Sequence, residues 1–118
     1  MIIYTDGYKN VTTYDENHAL SIGSKTFYFR RSGIVVSMNS PNDIDTSLLK
    51  LGDFTTIGRL PEKFRPITQI HCCVENGFNE ENNVVFLRIG TDGYVSIYSN
   101  ASNSIINCSM NTSYIVMK

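Results

Sequence analysis

Apolar residues in this chain recur in short alternating runs, each closed by Gly, Asp, Asn or Ser after roughly ten residues. An amphipathic helix needs apolar residues at a 3.6 period, and almost no stretch of the sequence supplies one. The alternation instead predicts antiparallel strands with one face on a core, an all-β sandwich or barrel. The clearest hairpin runs Lys25 to Arg30, turns through Arg31-Ser32-Gly33, and returns over Ile34 to Asn39. It puts Phe27 and Phe29 on one face with Ile34, Val36 and Met38, and leaves Tyr28, Arg30 and Ser37 on the other. A second hairpin joins Val84–Ile89 to Tyr94–Tyr98 through Gly90-Thr91-Asp92-Gly93. Its Asp-Gly pair provides the positive φ that tight turns require.

Further strands are predicted over Phe54–Leu60, over Ile67–Val74 as a buried strand, and over Ile105–Met110 and Ser113–Met117. Asp45 to Gly52 carries the single helical signal, an N-capping Asp45 and a terminating Gly52, with room for one or two turns at most. The tetrapeptide Thr5-Asp6-Gly7-Tyr8 recurs as Thr91–Tyr94, which reads as reuse of a good turn rather than an internal repeat.

At 118 residues the chain has the size of one domain. We divide it into a short N-terminal hairpin or neck over 1–24 and a head domain over 25–118. Its ten basic and eleven acidic residues leave a formal net charge of -1, and the basic ones are scattered, which argues against nucleic-acid binding. The opening Met1 to Asp6 has neither the basic n-region nor the apolar run of a signal peptide or membrane span. Three cysteines, two of them adjacent, do not make a disulfide framework. Glycosylation-type triplets begin at Asn10, Asn100, Asn107 and Asn111, a number expected by chance in so Asn- and Ser-rich a chain.

His71-Cys72-Cys73 is the one cluster with the residue types of catalysis or metal binding. On a strand His71 and Cys73 share a face and Cys72 takes the opposite one, so the three cannot ligate one ion together. Adjacent strand residues also point apart, which denies a Cys-His pair its geometry. Glu80-Glu81 lie in a polar loop where solvated charge is the default, and no Gly-rich phosphate loop leads into a helix. The sequence reads as a non-enzyme with no metal and no cofactor. More informative is the apolarity of both faces of the second hairpin: opposite Val95 and Ile97 stand Tyr94 and Tyr98, and opposite Leu87 stands Phe86 beside Arg88. Such a face is covered by the chain itself, by another subunit, or by a ligand that stacks on rings.

Between the hairpins lies "RLPEKFRP", Arg59 to Pro66, whose two prolines bar a helix interior or central strand from running through it. In order, "YFRRSGIVVSMN" (28–39), "GDFTTIGRLPEKFRP" (52–66), "VVFLRIGTDGYVSIY" (84–98) and "NTSYIV" (111–116) resemble the C-terminal head domain of phage tail receptor-binding, baseplate or fibre proteins of Gram-positive hosts. The resemblance covers about Thr26 to Val116, with the corner its most specific piece; before about Ser24 the pattern is absent.

The resemblance implies an antiparallel β-sandwich or jelly-roll-like head, assembled as a homotrimer at the tip of a virion appendage. It implies a virion protein made in the bacterial cytoplasm without a signal peptide, without membrane insertion, and in contact with other phage tail proteins. Adsorption to a host cell-wall or surface polysaccharide would proceed without chemistry. For glycan contact the predicted residues are Arg88, Tyr94, Tyr98, Asn100 and Asn103. Leu60, Pro61, Phe64, Arg65 and Pro66 form a structural corner, Leu60 and Phe64 anchoring it, Arg65 pairing with a carboxylate or carbonyl. The alternative is a purely structural tail, baseplate or head-fibre component.

Overall fold

The computed structural model describes residues 15–76, 83–100, 105–107 and 109–117. They form ten strands: β1 (Asp15–Ile22), β2 (Lys25–Ser32), β3 (Val35–Asn39), β4 (Asp43–Asp45), β5 (Asp53–Arg59), β6 (Ile70–Asn76), β7 (Asn83–Ile89), β8 (Tyr94–Ser99), β9 (Ile105–Asn107) and β10 (Thr112–Ile115). One four-stranded sheet has the order β1-β2-β3-β10 and the other β5-β8-β7-β6, while β4 and β9 pair apart from both. All of these pairings are antiparallel, and the fold is an all-β sandwich.

Each sheet lines the core with one face of its strands, as the alternation predicts. Phe27, Phe29, Val36 and Met38 come from the first sheet and Val85, Leu87, Ile89, Val95 and Ile97 from the second, all at 1% exposure or less. Burying each such side chain contributes roughly 1.5–3 kcal/mol relative to leaving it in water. Ile44 from β4 and Leu60 belong to the same buried core. Within the stretch 1–24, β1 pairs with β2 along its whole length, from Asp15↔Ser32 to Ile22↔Lys25. Met1 to Tyr14, including the first Thr-Asp-Gly-Tyr, lies outside the described residues.

Three predicted strands have other bounds, and the run over Ile105–Met110 pairs only over Ile105–Asn107, as β9. β2 continues through Ser32, and the turn is Gly33-Ile34, with Gly33 at φ 63 supplying the sign a two-residue hairpin loop needs. Ile34 therefore sits in the loop, 44% exposed, and Arg31 takes the inward position at 2% exposure. The predicted buried strand Ile67–Val74 is instead β6, beginning at Ile70 and lying at a sheet edge, so His71 and Cys73 stay exposed and Ile67 is outside it at 52%. The helical signal becomes a single 3-10 turn, Thr46–Leu48, whose Ser47 N–H donates to the Asp45 carboxylate at 2.9 Å; a side-chain hydrogen bond from Ser47, together with this backbone bond, lowers the Asp45 pKa. A second 3-10 turn, Glu62–Phe64, lies inside the corner and adds to what the sequence predicts.

The corner exists because of the sheet order. β5 and β6 follow one another in sequence but occupy opposite edges of their sheet. Residues 60–69 must therefore cross the end of the sandwich, a width of about 14 Å for four strands. Leu60 and Phe64 are buried at 0% and 3%, while the Pro66↔Val116 bridge and the Ile67 N–H to Ile115 carbonyl bond at 3.2 Å tie the crossing to the strand β10 of the other sheet. The Arg65 Nε donates to the Leu60 carbonyl at 3.1 Å, and Lys63 pairs with Glu16 at 3.1 Å.

The buried Tyr114 hydroxyl donates to the Phe64 carbonyl at 2.6 Å, and burial pushes its pKa far above the ordinary tyrosine value. A raised folded pKa favours the neutral phenol in the native state, so this contribution is complete below the unfolded tyrosine pKa of about 10 and is lost as pH rises beyond it. Absorbance titration of tyrosinate should show a late step that accompanies unfolding, and Tyr114→Phe should abolish that step. A titration with no such late step, or one unchanged by Tyr114→Phe, would contradict this.

Candidate ligand-binding face

The register of the second sheet places the outward residues in two rows. Phe54 on β5, Tyr98 on β8, Phe86 on β7 and Cys73 on β6 stand side by side, and next to them Thr56, Ser96, Arg88 and His71. The first row is a ring platform. Phe54 lies 5.7 Å from Tyr98 and 5.9 Å, edge-on, from Phe86, and His71 packs 5.2 Å from Phe86. Offset and edge arrangements of this kind are the favoured ones for aromatic quadrupoles.

Arg88 spans β8 to reach the ring on the far strand, its guanidinium carbon 3.9 Å from the Phe54 centroid. The small residue at Ser96 makes this possible: it stands between Arg88 and Thr56, bonds the Thr56 hydroxyl at 3.2 Å, and is buried at 5% although it faces outward. A cation held on a ring face is stabilised by about 0.5–1 kcal/mol at an exposed site. Beyond a bulge between Thr56 and Gly58, Arg59 repeats the motif over Tyr94 at 4.7 Å and donates to the Asp92 carbonyl at 2.9 Å.

Of the residues predicted from sequence, Arg88 and Tyr98 belong to this platform, and Tyr94 lies on the same sheet, 45% exposed, under Arg59. Asn100, exposed after β8, bonds the backbone of β7. Its side-chain oxygen accepts from the Val84 N–H at 2.8 Å and its own N–H donates to the Val84 carbonyl, sealing the end of the β7–β8 pair. Asn103 is outside the described residues, as are Glu80 and Glu81. The sequence does not point to Phe54 and Arg59, because their places beside Tyr98 and Tyr94 depend on the pairing of β5 with β8, two strands remote in sequence. Their alternation with Thr55 and Gly58 carries no hint of a ring partner.

The thiols divide as the strand geometry predicts, with Cys73 outward and Cys72 half-buried beneath the sheet. Burial pushes the Cys72 thiol up, and a hydrogen bond with Thr112 opposes this. The half-buried Cys72 packs against the core, and a raised pKa favours its neutral thiol. Among the described residues no three His, Cys, Asp or Glu side chains converge as metal ligands. The face offers stacking, the guanidinium groups of Arg88 and Arg59, and a few hydroxyls. No protein-family model and no curated protein matches the chain.

Proposed function

We propose that the chain is a non-catalytic receptor-binding head of a phage tail or fibre, which recognises a host surface glycan as a homotrimer. The observation that carries the reading is the half-buried row Phe54–Tyr98–Phe86 with Arg88 laid on it. Apolar C–H faces of sugars stack on such rings, and a guanidinium supplies hydrogen bonds to hydroxyls or to an acidic substituent. The order of sequence pieces over Tyr28–Val116 supports the same family resemblance. Each site is shallow and binds weakly; three linked sites raise the working affinity when all can engage one surface.

Tyr98→Ala should weaken binding of isolated host cell wall about fivefold to tenfold per site, the equivalent of one lost ring contact. Unchanged binding would remove the platform from the reading. Light scattering should give a mass of three times 13.3 kDa.

A purely structural tail or baseplate role draws on a different observation. Val35 and Ile115 face outward as a cross-strand pair in the first sheet, and Ile34, Ile67 and Met117 are exposed nearby in the fold. Exposed apolar groups gathered in this way mark protein contacts. A monomer that ignores cell wall but binds a tail protein would favour this second role.

A further inference from the structure

The end of the sandwich crossed by the corner contains a cleft of about 450 Å³, away from the ring platform. Arg31, Lys63 and Arg65 line it against the one carboxylate Glu62, with Pro66, Thr91 and Met117 completing the wall. Three of the chain's ten basic residues thus converge in one recess of a protein whose overall charge is -1.

Arg65 is fixed in place before any ligand arrives. Its Nε donates to the Leu60 carbonyl, and its stem passes so close to Gly93 that a Cβ there would fall 2.7 Å from Nε. With Nε engaged, the two terminal guanidinium nitrogens have no hydrogen-bond partner among the described residues. Neither has the hydroxyl of Thr91, exposed in the β7–β8 turn. Arg31 adds positive charge from behind: it is buried, and its three nitrogens donate to the carbonyls of Gly33, Lys63 and Met117 at 2.8–3.0 Å. The Lys63 amine is paired with Glu16, so its part is long-range.

From this geometry we infer that the cleft is a site for an oxyanion, a phosphate or carboxylate carried by the surface glycan, held by the terminal nitrogens of Arg65 and the Thr91 hydroxyl. A rigid guanidinium fork matches the two oxygens of either group, and a hydroxyl beside it supplies a third donor. The inference deepens the glycan-binding reading, on which it rests, by giving the polymer a charged substituent and a second contact point. Being open, the site weakens with salt.

The experiment is an amide NMR titration of the full chain with glycerol 3-phosphate and, separately, with glucuronate, each against sodium chloride at equal ionic strength. Saturable shifts at Arg65, Thr91 and Gly93 are expected, and the tighter of the two anions identifies the source. Arg65→Lys should weaken the anion about tenfold by losing the fork, and Thr91→Val, a change in an exposed turn that leaves folding intact, about threefold to fivefold. Shifts no larger than those with chloride, or unchanged affinity in both variants, would overturn the inference. Anion shifts at the cleft without any binding of cell wall would support the cleft and count against the glycan reading. Cell-wall binding that depends on Tyr98, with no anion shifts, would do the reverse.

Discussion

Arg31→Ala should cost about 3–5 kcal/mol of unfolding free energy, a large part of the roughly 5–15 kcal/mol that a domain of this size has. The guanidinium joins three parts of the chain that are distant in sequence: the β2–β3 turn through Gly33, the corner through Lys63, and the C-terminal stretch through Met117. Hydrogen bonds to a charged donor are worth about 1.5–3 kcal/mol each, and truncation leaves three part-buried carbonyls without that donor. Arg31→Lys should recover little, because one ammonium on a flexible stem cannot reach three carbonyls set around a planar fork. The check is the urea midpoint at constant m-value. A loss under about 1 kcal/mol for Arg31→Ala would mean that water replaces the guanidinium at all three carbonyls.

Gly93→Ala should destabilise by about 2–4 kcal/mol, from two separate penalties. Gly93 has φ 92, a conformation L side chains rarely adopt, and its added Cβ would lie 2.7 Å from both the Leu60 carbonyl oxygen and the Arg65 Nε. The oxygen is backbone, and Leu60 is itself held by donating its N–H to the Gly93 carbonyl at 2.8 Å, so neither partner can move away without opening the corner. Gly33→Ala separates the two penalties. That glycine also has positive φ, at 63, but nothing lies within 4 Å of its added Cβ, so only the conformational penalty of about 1–2 kcal/mol remains. Equal losses for the two variants would show that the contact of corner and turn is soft. Gly93→Ala should also displace Arg65 and abolish anion shifts at the cleft.

Both positions show where sequence reasoning reaches its limit. The Asp92-Gly93 pair is legible as a hairpin turn, because positive φ is a local requirement. That the same glycine must also admit Arg65 is not legible, because the close approach is made by a segment almost thirty positions earlier. Arg31 is harder still. A turn through Arg31-Ser32-Gly33 satisfies every local preference, and a two-residue turn at Gly33-Ile34 satisfies them as well. The choice falls to the carbonyls that await a buried cation, and these come from distant parts of the fold. One shift of the turn reverses Arg31 and Ile34 between inside and outside.

The binding face divides in the same way. Tyr94, Tyr98, Phe86 and Arg88 announce a two-sided apolar hairpin in the sequence alone. Phe54 joins them through the β5–β8 pairing, and Ser96 matters because Arg88 crosses over it. Asn100 also bonds the backbone of Val84, a contact that the chemistry of its side chain does not announce.

The sequence on its own carried the class of fold, the two hairpins, most of the alternate residues that fill the core, and a rigid, proline-bounded corner. These follow from side-chain period, turn residues and proline geometry, which act over a few neighbouring positions. Tertiary structure alone decided that the corner spans opposite edges of one sheet, which arginine is buried, and which rings and cations share a surface. Sheet order and cross-strand register fix those outcomes, and they are settled by the joint packing of segments that carry no local sign of one another.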